Sequence, residues 1–151
     1  MVINVLIILC MDNPQINNIT VALAMTGDEQ GMIQYAIHYA EMFNASLTVI
    51  HVQDPHAGGM SMMMDAPEKF SEEDISNLLA ECGINDAHSV SIQVVESESP
   101  SQAIGEAAKD TDLLVLGHRQ MSTFKSNFMD SVDEGIVNNV TCPVLVVPKR
   151  A

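Results

Sequence analysis

Apolar residues gather in five short runs along the chain, and between them apolar positions recur every three or four residues. The runs are Ile19–Ala24, Ser46–Val52, Val90–Val95, Leu113–Leu116 and Val144–Val147. Each is too short for a helix, and most are rich in Val and Ile, as expected of strands buried on both faces. After the first run, Thr26 and Glu29 stand at capping-box spacing, and Ile33, Ala36, Ile37, Ala40 and Phe43 then share one helical face. Ser71 and Asp74 open a second helical pattern that carries Ile75, Leu78, Leu79 and Cys82 and stops at Gly83. Ser99-Pro100-Ser101-Gln102 joins an N-cap residue to a proline at the first helical position and a glutamine at the third. Met129, Val132, Ile136 and Val140 repeat at helical spacing in the fourth pattern. Strands alternating with helices predict parallel pairing, right-handed crossovers and helices on both faces of one sheet. In such a sheet ligands bind beyond the carboxyl ends of the strands, where the strand order reverses. The loops after Ala24, Val52 and Leu116 are therefore the place to look.

With 47% hydrophobic and 17% charged residues, the 151-residue chain fits one globular domain with an ordinary core. Charge narrows the function further. Twenty acidic residues against six basic ones give a net charge of −14, which repels phosphate backbones unless basic residues cluster. Lys69, Lys109, Arg119, Lys125, Lys149 and Arg150 never run beyond two in a row, so nucleic acid is not an expected partner. Cys10, Cys82 and Cys142 form no C-x-x-C pair and are odd in number, which suits free thiols in a reducing, cytoplasmic compartment. Cys82 falls on an apolar helical face and reads as core. The apolar run Val5–Cys10 is shorter than the about 20 residues a bilayer span needs. It also lacks the charged start and small-residue cleavage site of a signal peptide, so no membrane insertion is expected. Met11 opens a polar segment and reads as a natural start, which makes 1–16 an extension outside the fold and 17–151 the domain.

The candidate ligand site follows the fourth strand. Leu113–Leu116 leads through Gly117 into His118, Arg119 and Gln120, then through Lys125 to a helix that carries Ser131 and Val132. A glycine there permits a sharp, positive-φ exit from the strand. Backbone N–H groups of such a turn, beside a helix N-terminus, form an anion-binding concavity. Arg119 and Lys125 add positive charge. The alternative is a polar connection whose glycine merely turns the chain. A second unusual stretch joins His56 to Met60, Met62, Met63 and Met64. Soft thioethers with a histidine suit Cu(I), although a Met-rich loop more commonly rests on a groove or a partner. The five histidines have no zinc-site spacing, and no metal is expected. A nucleophile elbow, a P-loop lysine motif and a local Cys–His pair are all missing, so an enzyme is not expected.

Three phrases, Leu47-Thr48-Val49-Ile50-His51-Val52, Asp112-Leu113-Leu114-Val115-Leu116-Gly117 and Cys142-Pro143-Val144-Leu145-Val146-Val147-Pro148, give the chain its resemblance to the universal stress protein family over Ile19 to Lys149. The resemblance implies an α/β domain with a single doubly wound, five-stranded parallel sheet in the order 3-2-1-4-5. It also implies a homodimer joined through the last strand (Val144, Leu145, Val146, Val147) and a role in stress responses. That strand is apolar nearly throughout, and an exposed edge of this kind invites pairing with another chain. At the fixed positions of the family's ATP-binding motif this sequence reads Gly117, Gln120, Asp130 and Ser131, so two glycines are replaced. Gln120 places a side chain where backbone must approach phosphate, and Asp130 places a carboxylate where the anion would sit. Ala24 stands where the ATP-binding branch has a base-recognising acid, and Glu98 where the family often has a glycine before the third helix. Gly117-His118-Arg119-Gln120 instead resembles the Gly-His-x-Gln variant of the branch that generally lacks bound ATP. No cofactor is therefore expected. The function read from this is a non-catalytic stress-response regulator that acts as a homodimer through contacts with an unidentified protein partner. The alternative is a switch that binds ATP or AMP through Val52, Gly117, His118, Arg119, Gln120, Lys125, Ser131 and Val132, with at most slow hydrolysis.

Overall fold

The computed structural model describes residues 14–59, 67–85, 89–119 and 131–149. They form β1 (Asn18–Leu23), α1 (Gln30–Phe43), β2 (Ser46–Gln53), α2 (Glu72–Glu81), β3 (Val90–Glu96), α3 (Pro100–Ala107), β4 (Leu113–Arg119), α4 (Ser131–Asn139) and β5 (Val144–Lys149). All five strands pair in parallel in the order β3-β2-β1-β4-β5. The chain winds outward from β1 to β3, then crosses back to β4 and winds the other way. The order reverses between β1 and β4, and this doubly wound sheet is the one the alternating pattern predicts.

The pleat sends alternate residues to opposite faces, and the core divides accordingly. On one face Ile19, Val21, Val49 and Val115 meet Met32, Ile33 and Ala36 of α1 and Ile75 and Leu79 of α2. On the other, Leu114 and Leu116 meet Ile104 of α3 and Ile136 of α4, with Ala22 and Val52 packed at the margin. Ile16 also packs against the larger cluster. The base of the sheet is pinned where Asp112 Oδ2 accepts the N–H groups of Asn17 and Asn18, both at 2.9 Å.

Two of the expected helix starts differ from their sequence reading. At α2 the capping box forms: Ser71 Oγ accepts the Asp74 N–H at 3.2 Å, and the Ser71 N–H donates to Asp74 Oδ2 at 2.7 Å. Gly83, with φ +89°, then ends that helix. At α1 only the acid's half of the box is present, with Glu29 Oε1 accepting the Thr26 N–H at 2.6 Å. The helix begins at Gln30, Glu29 is its N-cap residue, and no side chain caps it. The Glu29 carboxylate also meets Lys149, described below. At α3 Pro100 takes the first helical position but Ser99 makes no side-chain cap. Its N–H instead donates to Ser97 Oγ at 3.1 Å. Phe43, expected on the core face of α1, is 41% exposed. It lies in the last turn and stacks on Tyr39, with ring centroids 6.1 Å apart. In α4, Ile136 is buried and Val132 exposed, while Met129 lies outside the described residues.

Candidate functional site: the crevice at the strand-order reversal

A cavity of about 230 Å³ opens at the β1/β4 reversal. Ala22 and Ala24 line it from the end of β1, Val52 from β2, and Leu116 and Gly117 from β4. Pro100 and Ile104 of α3 and Val132 and Ile136 of α4 close it from above. Small residues at 22 and 24 leave the space open. Lys149 is the only charged residue among the described lining residues.

Gly117 does not have the role its sequence context suggested. β4 continues through it to Arg119, with Gly117 paired to Val147 and Arg119 to Lys149. The positive-φ glycines among the described residues are Gly27, Gly58 and Gly83, so Gly117 lies in ordinary strand rather than in a sharp exit. The requirement for glycine comes from the α1 face of the sheet. A Cβ there would collide with Lys149 Cε and stand 3.2 Å from Met32 Sδ. The absent side chain is what lets the Lys149 chain pass beneath β4.

That lysine reaches the loop between β1 and α1. Met25 (φ +58°) and Gly27 (φ +87°) turn this loop tightly. The Lys149 side chain is only 8% exposed, and its Nζ lies 3.0 Å from Asp28 Oδ1 and 3.5 Å from Glu29 Oε1. It also donates to Thr26 Oγ1 at 3.1 Å. An ammonium has three donors, and three acceptors surround this one. Glu29 is itself buried, and it accepts the Thr26 N–H at 2.6 Å and the Gly27 N–H at 2.9 Å. Burial pushes its carboxyl pKa up, but the Thr26 N–H, the Lys149 charge and the Thr26 and Gly27 hydrogen bonds outweigh that and hold it below the ordinary value.

The structure brings Val52, Gly117 and Val132 together at the crevice. His118 is half-buried in β4, paired with Pro148. Arg119 ends β4 and Ser131 begins α4. Gln120, Lys125, Asp130 and the Met60–Met64 stretch lie outside the described residues. Asp28, Glu29 and Lys149 are not among the site residues that the sequence suggests. The only local signal was the Thr26/Glu29 spacing, which is the same whether the acid caps a helix or meets a distant lysine.

Next to the crevice, and sharing Ala24 and Val52 with it, lies a second cavity of about 320 Å³ lined by His51, Gln53 and Phe70. His51 is buried, with Nδ1 2.9 Å from the Leu23 carbonyl and its ring edge-on to Phe70 at 5.5 Å. Nδ1 therefore carries the proton and donates it. Among the described residues no group of three His, Cys, Asp or Glu side chains could hold a metal ion. Cys82 and Cys142 are half-buried, and burial raises both thiol pKa values. No helix among the described residues is long and apolar enough to cross a membrane.

A doubly wound parallel sheet with an apolar crevice at its order reversal defines a class of small-ligand-binding α/β domains. The family model for the universal stress protein family matches residues 15–148, and the chain belongs to that family. Universal stress protein A of Salmonella typhimurium is 27% identical over 139 residues, covering 88% of this chain and 94% of that one. A universal stress protein solved in complex with cAMP shares the fold with a TM-score of 0.64 at 20% identity, covering 90% of this chain and 99% of that one. A universal stress protein from Archaeoglobus fulgidus solved in complex with dAMP has a TM-score of 0.52 at 16% identity, covering 87% of this chain and 98% of that one.

Proposed function

We propose that this protein is a non-catalytic stress-response regulator that acts as a cytoplasmic homodimer through protein contacts. The observation that carries this is the edge of β5. It is the terminal strand of the sheet, with Val144 and Leu145 half-buried and Val146 40% exposed. An apolar strand with one unpaired edge is a template for a second copy of itself. The crevice supports the non-catalytic part, since the one charged residue among its described lining residues is already held by two carboxylates and a hydroxyl. Light scattering at micromolar concentration is expected to give twice the chain mass, and Val146→Asp is expected to halve it. A wild-type mass of one chain overturns the reading.

A second reading, an adenine-nucleotide switch, rests on a separate observation. The apolar cavity sits at the order reversal, where doubly wound sheets bind ligands, and two proteins of the same fold carry adenine nucleotides in their solved complexes. Calorimetry with AMP, and with ATP and magnesium, tests it. No heat at millimolar nucleotide ends it.

A further inference from the structure

We infer that Asp28 and Glu29 act as a built-in anion for the crevice lysine, so that Lys149 is withheld from a ligand's phosphate and the described part of the crevice favours uncharged, nucleoside-like ligands over phosphorylated ones. This rests on the second reading above, that adenine compounds enter the crevice. The described walls are apolar apart from Lys149, and a flat heterocycle can bury itself there without charge compensation. A phosphate requires a cation or free N–H donors. Lys149 is positioned to supply one, but Thr26 Oγ1, Asp28 Oδ1 and Glu29 Oε1 surround its ammonium at 3.1, 3.0 and 3.5 Å.

Displacing those partners is costly in two ways. Glu29 is fixed by the N–H groups of Thr26 and Gly27, so it cannot swing away to make room. A phosphate that reached Lys149 would then stand beside at least one carboxylate in a partly desolvated site, where like charges repel far more than in water. The lysine thus neutralises the protein's own acids and is not free to hold a ligand's anion. Gly117 eases the arrangement, because a Cβ there would meet the lysine chain as it runs under β4 to the acidic loop.

The test is calorimetry of the full-length protein and its Asp28→Asn variant with adenosine, AMP and ATP in metal-free buffer. Asp28 is 22% exposed, so the variant is expected to fold, and circular dichroism checks this. Wild type is expected to bind adenosine more tightly than AMP, and AMP more tightly than ATP. Asp28→Asn should leave adenosine affinity unchanged and tighten AMP and ATP by about tenfold, the scale of one hydrogen bond to a charged group. The Asp28→Asn/Lys149→Met double variant should lose that gain. If the variant binds adenosine with the wild-type preference among the three ligands, or if wild type prefers ATP, this inference fails and the nucleotide reading stands. No heat with any ligand for either protein overturns both.

Discussion

The two faces of the sheet differ most at the residue they share. Above Gly117 the crevice is open and apolar. Below it the space is filled by the Lys149 chain and Met32, and the lysine ends among Thr26, Asp28 and Glu29. A glycine whose sequence context suggests a sharp exit from the strand is tied instead to packing on the opposite face. The filled face holds the strand ends together, and the open face is left for ligand. If this division is right, substitutions on the two faces have unequal consequences.

Lys149→Ala is expected to have the largest effect. It leaves Glu29 buried without its cation, and breaking a buried pair from one side costs about 3–5 kcal/mol. Urea unfolding measures this, and a loss under about 1 kcal/mol would make the cluster no more than a surface ion pair. Gly117→Ala comes next. The added Cβ meets Lys149 and Met32, and overpacking of this kind costs about 1–3 kcal/mol. In the Lys149→Ala background most of that cost should vanish, because the obstructing chain is gone. A purely additive double mutant would show that Gly117 is required for some other reason.

The same contrast explains what the sequence revealed and what it hid. The five strands and the helix starts were legible because each is marked by short-range periodicity or capping chemistry, as at Ser71 and Asp74, where the box forms as written. Thr26 and Glu29 carry the same local signature, and Glu29 does accept the Thr26 N–H, but the helix starts only at Gln30 and the acid also meets Lys149, which no local pattern records. The end of β4 was misjudged for a related reason. Gly117, His118 and Arg119 look like a polar loop, and only their pairing with Val147, Pro148 and Lys149 makes them strand. A cavity does lie at the order reversal that the order of elements predicts, but the chemistry of its lysine depends on contacts that no local pattern records.

The ionisation of Glu29 gives a third and gentler probe of the filled face. Its folded pKa is lowered from the ordinary 4.5, so its contribution to stability is complete above that value. It is lost as pH falls through the lowered folded pKa. The stability difference between wild type and Glu29→Gln should therefore be flat above pH 4.5 and shrink below it. A difference that grows on acidification contradicts the assignment.

The smallest stability change is expected on the open face. Ala22 lines the crevice, so Ala22→Val adds methyl groups to empty space, and its cost should stay within about 0.5 kcal/mol, the range of substitutions that disturb no packed contact. Ala36→Val, the same change in the middle of the filled face, where Ala36 is fully buried against the sheet, should cost about 1–3 kcal/mol by overpacking. The added volume is matched; Ala36 lies in a helix and Ala22 in a strand, so about 0.5 kcal/mol of the difference is helix propensity and only the excess reports the face. Equal losses would mean that the crevice closes in solution and that the two faces are packed alike. If Ala22→Val is silent in unfolding, adenosine calorimetry gives the complementary reading. A ligand that occupies the crevice must lose affinity when its space is taken, and an unchanged affinity places the ligand elsewhere.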